Sequence, residues 1–194
     1  SVEAPNLNWA RNNDFRSMFH TATINTLNIN NWTLSSTTSL TCANFFQNTK
    51  FDNLIDIDLS GWTNTSSNTS LANFMRYQTG GFSQIRTIDL SGWDTSNVTT
   101  MAYWCYNAQY LEEIPGLSGF DSTSLTTMTS GFYDCKRLSF TNHNFGVGFN
   151  TFTPTVSNGL QSAFQRVGQQ ISPGGNAPNL SNWDVSNCGN LSNL

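Results

Sequence analysis

A single motif that recurs at a nearly fixed offset limits this chain more than anything else in it. Ser91-Gly92-Trp93-Asp94-Thr95-Ser96-Asn97-Val98-Thr99-Thr100-Met101 is echoed 27 residues later by Ser118-Gly119-Phe120-Asp121-Ser122-Thr123-Ser124-Leu125-Thr126-Thr127-Met128. The opening returns as Ser181-Asn182-Trp183-Asp184 and as Ser60-Gly61-Trp62. Self-similarity at 20 to 50 residues marks a repeat architecture, in which one unit cannot bury its apolar face alone and must stack on its neighbours.

Behind each opening lies an apolar set at i, i+3, i+4 and i+7: Phe15/Met18/Phe19/Ala22, Cys42/Phe45/Phe46/Thr49, Leu71/Phe74/Met75/Gln78, Met101/Trp104/Cys105/Ala108, Met128/Gly131/Phe132/Cys135 and Leu160/Ala163/Phe164/Val167. That spacing predicts one face of a short helix. A further set starts at Leu191, and the first members are 27 to 32 residues apart. After each set comes an alternating run, clearest in Ile55-Asp56-Ile57-Asp58-Leu59 and Ile85 to Leu90, weaker in Leu27-Asn28-Ile29, and broken by Pro115 between Leu111 and Leu117. Alternation predicts a strand with one buried face. Gly146 to Phe149 and Asn179-Leu180 continue the strand series. The expected fold is therefore an α/β solenoid of about six helix-plus-short-strand units of 27–32 residues, a single domain over residues 1–194 with a parallel sheet on one face.

An aromatic follows each strand: Trp32, Trp62, Trp93, Phe120, Phe152 and Trp183. In register with the apolar sets, these rings predict a stacked spine within the core, with an exposed aromatic track for sugars as the alternative. The Asp94-Thr95-Ser96-Asn97 type of segment between ring and apolar set suits the closing of a turn and the capping of backbone amides.

The Trp93 to Met101 motif, the apolar segment behind it and the strand leading to the next Leu-Ser-Gly-Trp resemble the BspA-like bacterial leucine-rich-repeat surface proteins. The resemblance covers most of the chain and is sharpest in the fourth and fifth units. It weakens where the aspartate after the aromatic is replaced by Thr33, Thr63 and Thr153. It implies a leucine-rich-repeat-like right-handed solenoid displayed on a surface, with adhesion to a protein or glycan partner on a host or neighbouring cell. Phage and environmental sequences carry similar repeats, which adds a virion fibre or decoration protein as a variant. Where that family has a cysteine after its helix, this chain has Cys135 in one unit but Ala108 and Val167 in others, so packing is the expected role.

Charge and chemistry narrow the function. Charged residues make up only 10% of the chain and the net charge is -4. No basic patch exists to neutralise a run of phosphates, which excludes nucleic acid as the expected partner. No stretch of about 18 apolar residues is present to span a membrane. Four cysteines, at 42, 105, 135 and 188, lack zinc-site spacing and are too sparse for a disulfide scaffold. His20 and His143 lie in different units away from any nucleophile elbow, and Gly146-Val147-Gly148 lacks phosphate-loop spacing. Glu112-Glu113 and Asp56/Asp58 are the close acidic groups, and nothing marks either as catalytic. The chain reads as no enzyme, with no cofactor.

The aligned strands place Asn28, Asp58, Asp89, Gly116, Gly148 and Asn179 at equivalent outward positions. Of these, Asn28, Asp58, Asp89 and Asn179 are the candidate ligand-binding residues, as an exposed polar ladder. Asp58 and Asp89 would lie about 4.8 Å apart on neighbouring strands, close enough to share a calcium ion. Sequons occur at Asn31, Asn64, Asn68, Asn97, Asn179 and Asn190, acceptors in a eukaryotic secreted protein and products of composition in an Asn/Ser/Thr-rich bacterial or viral one. The last apolar set stops at Leu194, which predicts a longer polypeptide or an adjacent subunit covering the open end. The expected function is an extracellular recognition module on a cell or virion surface, with a purely structural fibre, surface-layer or decoration element as the alternative.

Overall fold

The computed structural model describes residues 1–194 apart from 5, 7, 9–13, 35–40, 64, 79–83, 141–158, 171–177, 179, 181, 182, 184, 187–189 and 194. Successive passes of the chain lie parallel on one another as rungs. Three two-stranded parallel pairs mark their contacts: β1 (Val2–Glu3) with β3 (Leu27–Asn28), β2 (Thr23–Ile24) with β4 (Lys50–Phe51), and β5 (Asp56–Asp58) with β6 (Thr87–Asp89). Isolated parallel bridges continue the contacts at Thr33↔Thr63, Ser70↔Thr100, Thr100↔Thr127 and Thr87↔Glu113.

The expected helices do not form. Among the described residues the helical elements are two three-residue 3-10 turns, Thr65–Ser67 and Leu117–Gly119. The helix-plus-strand solenoid is thus overturned, and so is the single parallel sheet, whose place is taken by separate short pairs.

The backbone hydrogen bonds explain the failure. In the segment 42–49, alternate amides donate to the next rung: Cys42 to Ser70, Asn44 to Ala72, Phe46 to Phe74 and Asn48 to Arg76. The amides between them donate three residues back, Phe45 to Cys42, Gln47 to Asn44 and Thr49 to Phe46. The same alternation links segment 15–22 to 41–47, 71–77 to 100–106, 101–107 to 127–133 and 128–134 to 159–165. An α-helix would keep every one of these bonds within its own segment.

With Tyr77 the exception, every fourth residue of these segments takes a positive φ, among them Asn44 (58°), Asn48 (55°), Asn73 (54°) and Asn107 (62°). A left-handed third residue is what a type II turn requires, and asparagine tolerates it better than other side chains. A chain of four-residue turns also brings i, i+3, i+4 and i+7 to the same side. Most of the apolar sets therefore point inward, on a different backbone: Cys42, Phe45, Phe46 and Thr49 are all fully buried, as are Leu71, Phe74 and Met75, while Gln78 at the end of that set is exposed and Met18, Phe19, Ala22 and Val167 are half-buried.

The aromatic spine is present and lies in the core. Trp32 and Trp62 stack at 5.1 Å, and Trp62 and Trp93 at 5.5 Å, with interplanar angles of 15° and 22°. Each indole N–H donates to a carbonyl of the preceding rung: Trp32 to Ala4, Trp62 to Ile29 and Trp93 to Leu59, at 2.6, 2.6 and 2.9 Å. Phe120 is buried too, but its ring meets Trp104 at 5.5 Å in a tilted contact rather than extending the stack from Trp93, and Trp183 packs on Phe164; Phe152 lies outside the described residues. A second column runs beside the first, Phe45 stacking on Phe74 at 5.6 Å and Phe132 on Phe164 at 5.4 Å.

The rest of the motif serves the same stacking. A Cβ at Gly61 would sit 2.3 Å from Asn31 Oδ1 and 2.5 Å from the Asn30 carbonyl, so only glycine lets the two turns meet there. Thr95 is buried; its hydroxyl donates to the Asp121 carbonyl at 3.0 Å and accepts the Asp121 amide at 2.8 Å, as Thr65 accepts Asp94. Asp94 and Asp121 accept the amides two residues on, Ser96 at 2.9 Å and Thr123 at 2.7 Å, so these residues close turns and cap no helix.

Candidate binding groove

The predicted polar ladder is present in part. Asp58 and Asp89 are paired residues of β5 and β6, while Asn28 pairs with Glu3, and Asn179 lies outside the described residues, as does Gly148. Gly116 does not fall into line, because the Leu90 amide bonds the Pro115 carbonyl and the ladder advances one residue sooner. Both carboxylates are engaged by their own turns. Asp58 Oδ1 accepts the Ser60 amide at 3.0 Å and the Ser60 hydroxyl at 2.7 Å, and Asp89 Oδ1 accepts the Ser91 amide at 2.8 Å. Among the described residues no cluster of three or more His, Cys, Asp or Glu could hold a metal. Two carboxylates are a small part of the six to eight oxygens that calcium takes.

Beside this ladder the strand face opens into a groove that the alternation pattern did not reveal. Its floor is a run of rung-to-rung bonds, Arg86 N–H to the Ile55 carbonyl, Glu112 N–H to Arg86 and Ser139 N–H to Glu112. One basin, of about 520 Å³, is lined by Ile55, Gln84, Arg86, Tyr110 and Arg137. The next, of about 340 Å³, is lined by Glu112, Glu113, Arg137, Ser139 and Gln170, so Arg137 borders both. Ile55 is 50% exposed and Tyr110 36%.

The charges in the groove bind one another. Glu112 Oε1 lies 3.8 Å from Arg86 Nη1 and 3.6 Å from Arg137 Nη1. The Arg137 guanidinium also sits over the Tyr110 ring, 5.0 Å from its centroid, within cation–π range. The arrangement orients two guanidiniums and a phenol ring. Glu112 and Glu113, the acidic pair legible in the sequence, fall here with both basic residues; the signal that would have found the groove is Arg86, Glu112 and Arg137 recurring in successive units.

On the turn face another aromatic cluster was also missed. Tyr106 stacks on Tyr133 at 4.8 Å, and Arg76 lies over Tyr103 at 4.6 Å. Partial burial, with Tyr133 beside it, pushes the Tyr106 phenol up despite Arg76. Its rings are largely covered by one another and by the arginine. Buried Asp134 nearby is tied to Arg166 at 3.1 Å and to Gln109 at 3.0 Å.

Cys42, Cys105 and Cys135 are free thiols in the core, and burial pushes each up from the ordinary thiol range. The Cys135 thiol donates to the Cys105 carbonyl at 3.0 Å, a packing contact. No helix among the described residues is long and apolar enough to cross a membrane.

The family model described as "Mycoplasma protein of unknown function, DUF285" matches residues 13–145, more than half of the chain and the part that holds the most regular rungs. No curated protein and no solved structure matches it.

Proposed function

The chain belongs to the DUF285 family, and from that premise and the groove we propose that it is an extracellular recognition module binding a partner through its strand face. Within the family we infer a place among BspA-like surface repeats, on the motif from Trp93 to Met101. One observation carries the reading. Ile55, the most exposed large apolar side chain among the described residues, lines the same basin as exposed Tyr110, beside two arginines, while most apolar side chains of comparable size, Leu191 excepted, are spent on the core. Exposed aromatic and aliphatic groups beside oriented arginines are the composition of binding hot spots.

The test is binding of the labelled chain to intact cells, comparing wild type with Ile55→Ser and with Asp58→Ala/Asp89→Ala. The expected result is a loss of about tenfold or more for Ile55→Ser, which is about 1.4 kcal/mol, and little change for the double variant. Equal binding by all three removes the groove from the reading. Failure of wild type to bind any cell, with ordered self-association instead, would favour the fibre or decoration role.

A further inference from the structure

Building on the recognition role just argued, we propose that the groove takes a neutral oligosaccharide. Three features point there. First, among the described residues the charged ones lining the two basins are Arg86, Arg137, Glu112 and Glu113, two of each sign, and Glu112 already faces both guanidiniums. An anionic ligand would have to compete with Glu112 for them, so a sulfated, phosphorylated or acidic sugar gains little. Secondly, the groove offers a ring and fixed polar groups together. Tyr110 is held on one face by Arg137 while lining the basin; Gln84 and Ser139 add an amide and a hydroxyl along it, and Gln170, whose Oε1 accepts from Arg137 Nε at 3.4 Å, adds an amide N–H₂. A sugar presents C–H faces to a ring and alternating donors and acceptors to such side chains. Thirdly, the basin volume of about 520 Å³ falls in the range of small-ligand sites, and its run continues across rungs into the second basin, as a chain of sugar units requires. A protein partner would be expected to meet a larger apolar surface than Ile55 and one tyrosine ring.

The experiment is an immobilised array of neutral, sialylated and sulfated oligosaccharides probed with the chain, followed by titration with the best neutral binder. Salt is varied from about 0.1 M to about 1 M, where the Debye length falls from roughly 10 Å to roughly 3 Å. The expected result is binding of neutral members that shifts less than about threefold with salt, since no net charge is neutralised. Tyr110→Ala should weaken it about tenfold and Tyr110→Phe should retain it, because the ring face is what the sugar uses. Arg137→Gln, at a partly exposed position, provides a second variant whose unchanged melting curve separates lost binding from lost fold. Binding confined to sialylated or sulfated members, or abolished by salt, overturns the proposal. No sugar bound while cell binding still depends on Ile55 overturns it and leaves the recognition role standing. Neither sugars nor cells bound overturns both.

Discussion

The turn face and the strand face are built on the same rungs and differ in what they leave over. On the turn face alternate amides cross to the next rung, and the outward side chains are used there too: Asn48 Oδ1 accepts the Gln78 amide at 2.7 Å, and Thr41, Ser70, Thr100 and Thr127 each accept the amide two residues on at 3.2 to 3.3 Å. On the strand face the short pairs satisfy the backbone, and the outward side chains include Ile55, Tyr110, Arg86 and Arg137, which do not cap turns. The comparison teaches that side chains spent on closing turns, Asp58 and Asp89 of the strand face included, or on covering one another, as Arg76, Tyr103, Tyr106 and Tyr133 do on the turn face, are architecture. Function is expected where side chains are surplus to that need.

The largest test of the comparison is at the centre of the turn face. Phe45 is fully buried and meets Phe46, Phe74, Trp62 and Phe19 at centroid distances of 4.6 to 5.7 Å. Phe45→Ala leaves a cavity between both aromatic columns, and the expected loss is about 3–5 kcal/mol by urea unfolding. A loss under about 1 kcal/mol would mean that the columns do not bear on one another.

A sharper test separates turns from helices. Asn44 holds φ at 58° in the second place after Cys42. If the segment were a helix, Asn44→Ala would gain up to about 0.5 kcal/mol from propensity. In the turn it should lose about 1–2 kcal/mol, while Asn44→Gly, free to adopt positive φ, should change stability by less than about 1 kcal/mol. Chemical unfolding of both variants reads the order directly. Alanine above glycine would contradict the turn geometry.

That position also shows what could be read from the sequence. The apolar sets named most of the buried residues, exposed Gln78 excepted, because a four-residue turn and a 3.6-residue helix place i, i+3, i+4 and i+7 on one side alike. The positions between the apolar ones carried the distinction: Asn44, Asn48, Asn73, Asn107, Ser130 and Asp134 are poor helix formers and, asparagine above all, tolerant of positive φ. The Trp32, Trp62 and Trp93 spine was legible since a ring at fixed spacing has only the next ring to stack on. The groove was not, because Ile55 falls in the alternation as one more buried strand residue and only the rung geometry turns it outward. Alternation places Asp58 and Asp89 side by side, but it does not show that Ser60 and Ser91, two residues on, occupy an oxygen of each.

The smallest expected effect is the most direct check on the division of labour. Ile55 is half-exposed, and its backbone carbonyl, not its side chain, accepts from Arg86. Ile55→Ser therefore keeps the rung bond and removes a methyl-rich surface that faces water, so stability should move by no more than about 0.5 kcal/mol. The urea midpoint and slope should both match wild type. A loss above about 1 kcal/mol would show that Ile55 packs into the fold, and the strand face would then be architecture like its neighbour. An unchanged midpoint beside a tenfold loss of cell binding would place the side chain wholly in recognition, which is the asymmetry the two faces imply.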